Sequence, residues 1–382
     1  MHDQLIFSDR NEYSELSDYL KNNGTRSLFV VCGKSIKNFP VELYLNSLKS
    51  SFNIEVVRFS DFSPNPKYED VLKGINTFIN AKSDVIMAVG GGSAIDIAKC
   101  IKAFCNVQKN DLPDCDVSYS PDFNKLVKVS NVPLICMPTT AGSGAEATHF
   151  AVMYFNYKKY SISALCLRPT AVVFSPCVLD SLPSVQKQST FLDALSHSIE
   201  SYWSINATEE SIEYSVEALN NLLRNFDGYF NNNEKCYEKM LWASYTAGRA
   251  INISKTTAGH ALSYKLTSEF NIPHGYAVAM CLKHVWKKTI EKAEYSNNKN
   301  LIDKLISLSR LFGGQDISEG LELFNKLLKS LITKKFKLIS SVTIDDLSKS
   351  VNVERLKNHP VSFSKDDIVE IYKNVMREFY EN

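Results

Sequence analysis

The sequence lacks the hallmarks of several protein classes. No apolar run reaches the roughly 18 residues that a membrane-spanning helix needs, and the N-terminal residues show no basic segment followed by an apolar one, so we expect no secretory signal. The charges nearly cancel, with 43 Lys and Arg against 42 Asp and Glu, whereas a nucleic-acid binder normally carries a basic excess. The nine cysteines include no CxxC pair. They indicate a reducing cytoplasm rather than a disulfide framework or a cysteine zinc site.

The chain is long enough for more than one domain. At about 150 residues per domain, its 382 residues correspond to two or three domains. In the N-terminal half, apolar strand-like runs at 27–32, 84–89 and 132–137 alternate with helical patterns at 67–79 and 94–104. Continuous apolar strands between helices predict a parallel, Rossmann-like sheet that is covered on both faces.

The periodicity changes near residue 183. Beyond it, segments with a period near 3.6 residues dominate, at 188–203, 209–226, 235–251, 277–295, 301–312 and 366–380. The sequence therefore predicts an α/β domain over 1–182 and an all-helical domain over 183–382. Residues 111–131 are predicted to form a loop, and 334–358 show no clear period.

Two glycine-rich turns each follow a predicted strand. Gly90, Gly91, Gly92 and Ser93 open the helix of residues 94–104, where Ser93 is a candidate N-cap and Asp96 lies three residues further on. Glycines let a phosphate approach the backbone, and a helix N-terminus attracts anions. The second turn spans 139–144. Two such turns at one sheet edge predict a site for a phosphate-bearing cofactor; two tight turns without a ligand are the alternative.

One carboxylate and three histidines suggest a metal site. Asp193 and His197 are four residues apart, which places both on one face of a helix. His260 and His274 follow, and Pro273 predicts that His274 lies in a turn. One carboxylate and three imidazoles suit a first-row divalent metal, Fe²⁺ or Zn²⁺. Histidines that only make structural hydrogen bonds are the alternative, and we assign that role to the remaining ones, His2, His149, His284 and His359.

The order of the motifs GGGS, TTAGSGAE, DALSHSIE and PHG resembles the iron-containing (group III) alcohol dehydrogenase family over nearly the whole chain. The resemblance implies a nucleotide-binding domain, a helical metal-binding domain, a cleft between them and a homodimer or larger homo-oligomer. By matching position, the metal ligands would be Asp193, His197, His260 and His274, the pyrophosphate would bind at Gly90 to Ser93, and Thr139, Thr140 and Ser143 would line the nicotinamide nucleotide of NAD(P)H.

The sequence departs from the family pattern at two places. Many NAD-using members have an aspartate at the position of Gly33, where it would repel a 2′-phosphate. Here Gly33 precedes Lys34, which predicts that NADP(H) is accepted; a solvated lysine in a strand-end turn is the alternative. Many members also have a histidine at the position of Tyr264. If residues 256–264 are helical, Tyr264 shares a polar face with His260, and it either donates a proton to the substrate or packs structurally.

The resemblance implies reversible hydride transfer between nicotinamide and a carbonyl that a metal polarises. Basic residues near His260 suggest an anionic substrate tail, and the strings 200–204 and 256–265 are similar to the phosphonoacetaldehyde reductase branch, which forms 2-hydroxyethylphosphonate. The alternatives are a generic primary alcohol or diol dehydrogenase, a glycerol-type dehydrogenase and, less favoured, a lyase like dehydroquinate synthase. The candidate substrate-binding residues are Arg249, Lys255 and Lys265.

Overall fold

The computed structural model describes residues 3–8, 12–115, 117, 119–337, 342–351 and 353–380. Its internal contacts divide the chain into two compact units. The first, here called the α/β unit, comprises residues 1–140 and 144–181. The second, the helical unit, comprises residues 141–143 and 182–382. His2 lies outside the described residues, so its predicted structural role stays a prediction.

The α/β unit is built around a parallel sheet. Its strand order is β1-β8-β5-β4-β2-β3, and every adjacent pair is parallel. A separate antiparallel hairpin is formed by β6 and β7. The strands are β1 (Leu5–Ser8), β2 (Ser27–Cys32), β3 (Glu55–Phe59), β4 (Val85–Gly90), β5 (Leu134–Pro138), β6 (Phe150–Phe155), β7 (Lys158–Ser163) and β8 (Ala171–Phe174).

The central strands are apolar and buried because helices pack against the sheet; the hairpin contacts α3, α4 and α5. Along α3, Val71, Ile75 and Phe78 repeat at helical spacing and are buried against this core. The α/β architecture follows the predicted alternation of strands and helices. The helices of this unit are α1 (Ser14–Asn22), α2 (Val41–Phe52), α3 (Tyr68–Ala81), α4 (Gly92–Phe104) and α5 (Phe123–Leu126).

Within its described residues, the helical unit contains helices and no strand longer than an isolated bridge. Helix α6 is its centre, because every residue from Phe191 to Trp203 is buried, which matches the prediction of an all-helical C-terminal part. The helices are α6 (Ser184–Trp203), α7 (Glu209–Arg224), α8 (Phe226–Phe230), α9 (Tyr237–Ser254), α10 (Ala258–Phe270), α11 (His274–Tyr295), α12 (Lys299–Leu311), α13 (Glu319–Leu331), α14 (Ile344–Lys349), α15 (Val353–Leu356) and α16 (Lys365–Phe379).

Candidate functional site

The two glycine-rich turns leave the sheet at the same edge. Cys32 of β2 pairs with Val89 of β4, and Gly90 pairs with Pro138 of β5. The carboxyl ends of β2, β4 and β5 are therefore adjacent, and the chain reverses its direction of strand addition between β2 and β4. Ligands of open parallel sheets bind at such a switch point. The structure thus brings three predicted groups to one edge: Gly33 with Lys34, Gly90 to Ser93, and Thr139 with Thr140.

Glycine is sterically required in the first turn. A Cβ on Gly90 would lie 2.7 Å from Cβ of Ala94, and one on Gly91 would lie 3.3 Å from Oγ1 of Thr140. The prediction that Ser93 caps the following helix is wrong. Gly91 holds the N-cap position with extended backbone, and Ser93 lies inside the first turn of α4. Amides at the start of a helix favour an anion because no preceding turn pairs with them, but here the amide of Ala94 already donates to the carbonyl of Gly91 at 3.1 Å.

Asp96 has a structural contact in the α/β unit. Burial raises the pKa of its carboxyl to about 7, against the opposing effects of Lys99 and a backbone hydrogen bond from Val152 of β6. The ammonium of Lys99, completely buried, donates to backbone carbonyls of Ala145 and Phe150 at 2.6 and 2.9 Å. These contacts tie α4 to the segment that follows the second glycine-rich turn. The cofactor-binding role of Asp96 stays a prediction.

The remaining nucleotide candidates differ in their surroundings. The amide of Thr139 donates to the carbonyl of Gly90 at 3.0 Å, which joins the two turns. Gly33 has ordinary extended backbone, and a Cβ at this position would have Oγ of Ser35 as its nearest neighbour, at 3.8 Å. Lys34 is exposed. Ser143 belongs with the helical unit rather than the α/β unit.

Three helices place the candidate metal ligands together. Asp193 and His197 lie one turn apart on α6, His260 lies on α10, and His274 is the first residue of α11. The Nε2 atoms of His197, His260 and His274 are 3.7, 3.5 and 4.0 Å from Oδ1 of Asp193. The prediction that His274 lies in a turn is wrong: Pro273 is the N-cap residue, and the helix begins at His274. Proline is tolerated there because the start of a helix does not use its missing amide.

The chemistry of this set fits a divalent metal. Oδ1 of Asp193 and Nε2 of His260 are buried and have no hydrogen-bond partner among the described residues. One ligand atom each from Asp193, His260 and His274 lies within 4.8 Å of the others. Buried polar atoms without partners are costly, and an ion between them would remove that cost. His197 stacks on His260, with ring centroids 4.6 Å apart.

The electrostatics favour the protonation states that metal ligands need at Asp193 and His197, but not at His260. Burial opposes ionisation of Asp193, but the neighbouring imidazoles outweigh it and hold the pKa of this carboxyl well below its usual range. Burial lowers the pKa of His197 to about 4, so its ring is neutral near pH 7. For His260, the carboxylates of Glu200 and Asp193 outweigh burial and raise the pKa to about 9. A metal entering the site would therefore displace a proton from His260.

Gly275 brings the start of α11 against α6. A Cβ at this position would lie 1.8 Å from the carbonyl oxygen of Ser189 and 2.9 Å from the amide nitrogen of Asp193. Its own amide donates to Oγ of Ser189 at 3.1 Å. The glycine of the PHG motif therefore lets His274 approach Asp193.

Sequence reasoning missed Glu200 as part of the site. This fully buried residue of α6 contacts Nδ1 of His260 through Oε2. Its opposite oxygen accepts from the amides of Thr257 and Gly259 at 3.1 and 2.8 Å. A signal was available, because Glu200 is seven residues after Asp193, two helical turns along the same face.

Tyr264 lies beside the ligand set. Its ring is nearly parallel to that of His274, with centroids 6.4 Å apart. Oγ1 of Thr267 is 3.4 Å from Nδ1 of His274. The predicted polar face is only partly correct, because Thr257 is the N-cap residue of α10 and Thr256 precedes it.

The three basic residues predicted to bind the substrate have different surroundings, and their contacts do not bring them together. Arg249 stacks on the ring of Tyr214 at 4.0 Å and also hydrogen-bonds its hydroxyl. Lys255 is exposed at the end of α9 with a φ of 62°. Lys265 is half-buried, and its charge acts on Asp346 of α14. Arg249 thus has a structural partner that the prediction of a substrate role did not foresee.

Two family models match the chain. "Iron-containing alcohol dehydrogenase" matches residues 4–176, and "Fe-containing alcohol dehydrogenase family, C-terminal" matches residues 187–376. A relative, aldehyde-alcohol dehydrogenase 2 of Entamoeba histolytica, is 31% identical over 252 residues. That match covers 64% of this chain but only 29% of the relative's length.

Solved structures match over nearly the full length. An iron-containing alcohol dehydrogenase from Thermotoga maritima is 27% identical, with 98% of each chain covered and a TM-score of 0.83. Sulfoacetaldehyde reductase from Bifidobacterium kashiwanohense, solved with NAD⁺, is 24% identical, with 99% of this chain and 98% of that chain covered and a TM-score of 0.84. Among the described helices, none is long and apolar enough to span a membrane.

Proposed function

Because the chain belongs to the iron-containing alcohol dehydrogenase family, we propose that its divalent metal is held by the converging side chains of the helical unit, Asp193, His197, His260 and His274. The family makes the protein an oxidoreductase that acts on CH–OH groups with NAD(P), which leaves no place for the lyase alternative. The ligand assignment rests on two buried atoms, Oδ1 of Asp193 and Nε2 of His260, for which the described residues supply no hydrogen-bond partner.

Each residue of this set has a defined task. When bound, the metal supplies a Lewis acid that polarises an aldehyde or stabilises an alkoxide. Asp193 provides the one negative charge among the four ligands, so a divalent metal with three neutral imidazoles would keep a net positive charge on the ligand set. The burial of Asp193, His197 and His260 keeps water from competing for these ligand atoms. His274 is partly exposed, at 36% of its side chain, and offers the open side of the set.

We propose that the α/β unit binds NAD(P)H at the edge where β2, β4 and β5 end. The amides of the Gly90–Gly92 turn and of the first turn of α4 would receive the pyrophosphate. Thr139 and Thr140 of this unit would line the nicotinamide nucleotide. Gly33 and Lys34 stand at the end of β2, where an acidic residue would contact the ribose in NAD-specific sites. With no carboxylate there and Lys34 exposed, NADPH is the preferred cofactor in this proposal.

The substitution Gly33→Asp tests the cofactor preference. The backbone at Gly33 suits any residue, and space is open around its Cβ position, so the variant should fold. A carboxylate near the 2′-phosphate should lower the ratio of kcat/KM for NADPH over NADH by at least about tenfold. Gly33→Asn is the matched uncharged control and should change the ratio little. Equal or higher efficiency of the unmodified enzyme with NADH would refute the preference.

We propose that the substrate is a small aldehyde, reduced to the primary alcohol. Tyr264 lies beside His274, where its hydroxyl is the candidate to orient the substrate or to donate a proton. A second candidate substrate is phosphonoacetaldehyde, whose anionic tail would need a cationic partner. Lys265, which directly follows Tyr264, would be that cationic partner. Arg249 is less suited, because it already stacks on Tyr214.

A combined metal and substrate assay tests the function. The purified enzyme should contain about one iron or zinc per chain and should reduce aldehydes with NAD(P)H. His260→Ala should lose most of the metal and at least about a hundredfold of turnover, while His149→Ala, a histidine of the α/β unit, should keep its metal. Full metal content in His260→Ala would show that the ligand assignment is wrong.

The same assay decides between the substrates. Phosphonoacetaldehyde is compared with butanal, lactaldehyde and glyceraldehyde. Faster turnover of any uncharged aldehyde would reject the phosphonate and leave a generic alcohol or diol dehydrogenase.

We further propose that the enzyme is a homo-oligomer and that it is located in the cytoplasm. The cysteines support the location in the cytoplasm, because all nine lie among the described residues and none forms a disulfide.

A further inference from the structure

Glu200 occupies an unusual position in the helical unit. Its side chain is completely buried, where an ionised carboxylate is costly unless it is fully hydrogen-bonded. Oε1 accepts four hydrogen bonds at the start of α10: from Oγ1 of Thr257 at 2.7 Å, from the amide of Gly259 at 2.8 Å, and from the amides of Thr257 and His260 at 3.1 and 3.3 Å. Oε2 contacts Nδ1 of His260.

We propose that Glu200 is a positioning residue that fixes the tautomer of His260, with the proton on Nδ1 and the lone pair of Nε2 free for the metal. This inference rests on the proposed metal site. Within the described part of the chain, Nε2 of His260 has no hydrogen-bond partner, and it lies 3.5 Å from Oδ1 of Asp193. A neutral imidazole carries one proton, so a proton held on Nδ1 leaves Nε2 able to coordinate.

The hydrogen-bond pattern leaves the carboxylate no freedom. Four donors hold Oε1, so the group cannot turn without leaving amides of α10 unpaired. An ionised carboxylate accepts and never donates. Nδ1 of His260 must therefore be the donor toward Oε2. Glu200 also replaces a side-chain cap for α10, because the N-cap residue Thr257 makes no cap hydrogen bond of its own.

The substitution Glu200→Gln tests whether Glu200 fixes the tautomer of His260. Glutamine has the same shape, but one terminal atom becomes an NH₂ group. If its oxygen faces the four donors, the NH₂ faces Nδ1 of His260 and demands a lone pair there. The proton then moves to Nε2, which can no longer bind metal. In the reverse orientation the NH₂ group would face the four donors that now bind Oε1, and those hydrogen bonds would be lost.

We expect metal-free Glu200→Gln to bind Zn²⁺ about 10–100-fold more weakly than the unmodified protein, measured by competition with a chelator. The control is Thr257→Val, which removes one donor to Oε1 and the acceptor for Nε1 of Trp203 but leaves Oε2 and His260 in contact. This control should lower the thermal stability while keeping Zn²⁺ affinity within about threefold. An equal loss of Zn²⁺ affinity in Glu200→Gln and Thr257→Val would contradict the proposal and show that Glu200 only stabilises the fold.

A second measurement needs no variant at Glu200. In the Zn²⁺-loaded protein labelled with ¹⁵N-histidine, the His260 signals, identified by their absence from His260→Gln, should show a proton on Nδ1 that exchanges slowly with solvent. Zn²⁺ bound through Nδ1, or an Nδ1 proton in fast exchange, would overturn the inference. If the unmodified protein binds no Zn²⁺, the proposed metal site itself is wrong. That result differs from coordination through Nδ1 and from fast exchange of the Nδ1 proton, which contradict only the role of Glu200.

Discussion

Gly275 shows how a single hydrogen atom in place of a methyl group can decide whether the candidate metal site forms. Gly275→Ala would place Cβ 1.8 Å from a backbone oxygen of α6, and neither backbone can yield without moving His274 or Asp193. We expect a loss of about 3 kcal/mol in the free energy of unfolding and a strong loss of bound metal. Denaturant titration and metal analysis measure these effects.

The matched control for this prediction is Gly33→Ala. Its Cβ would meet only Oγ of Ser35, at 3.8 Å, so its stability should change by less than about 1 kcal/mol. Wild-type stability and metal content in Gly275→Ala would mean that α6 and α11 do not approach as described.

Part of the candidate metal site was predictable from residue spacing, and part was not. The four-residue spacing of Asp193 and His197 indicated a shared helix face, and both lie on α6. The convergence of His260 and His274 on that face depends on how α10 and α11 pack, which spacing alone does not give. Glu200 was overlooked because a carboxylate in a helix is ordinarily a solvated surface group, and only its burial shows its role.

At the scale of elements, the segment after the second glycine-rich turn contains a group sensitive to pH. Glu146 is buried, and burial raises the pKa of its carboxyl to about 7. Its proton is held more tightly in the folded state than in the unfolded state, where the ordinary value is 4.5. Stability contributed by this group is therefore present below about pH 4.5, is lost as the pH rises toward 7, and is constant above that.

Glu146→Gln should remove this dependence. Relative to the unmodified protein, the variant should gain stability as the pH rises from 5 to 7, by up to about 1.4 kcal/mol per pH unit. Denaturant unfolding at several pH values measures this change in stability, and hydrogen exchange in residues 144–163 shows whether it is local to that segment. Glu69→Gln, on the exposed side of α3, is the control and should show no such trend. A parallel pH profile for both variants would contradict the prediction.

Elements with continuous apolar runs were predictable, and others were not. The runs at 27–32, 84–89 and 132–137 became β2, β4 and β5 because burial on both faces demands apolar residues throughout. The β6–β7 hairpin was missed. Its turn residues Asn156 and Tyr157 both have positive φ, the geometry that normally calls for an Asn-Gly pair. With tyrosine in that place, the sequence carries no turn signal.

At the scale of the whole molecule, the order of motifs along the chain was the strongest signal. Any one glycine-rich turn or histidine pair has a structural explanation, but four motifs in a fixed order correspond to one family, and two family models cover residues 4–176 and 187–376. The near-zero net charge argued against a nucleic-acid binder but said nothing of the specificity, which we propose depends on single charges such as those of Lys34 and Lys265.

The path of the chain has a consequence for modularity. Residues 141–143 belong to the helical unit although the α/β unit lies on both sides of them in sequence, and Gly142 packs so closely on Thr190 that a Cβ would lie 2.7 Å from its carbonyl oxygen. A gene fragment that starts at residue 182 therefore encodes an incomplete unit. Exchange of the C-terminal helices between relatives by a single crossover near residue 182 would carry over those helices but leave behind Gly142, which packs against them.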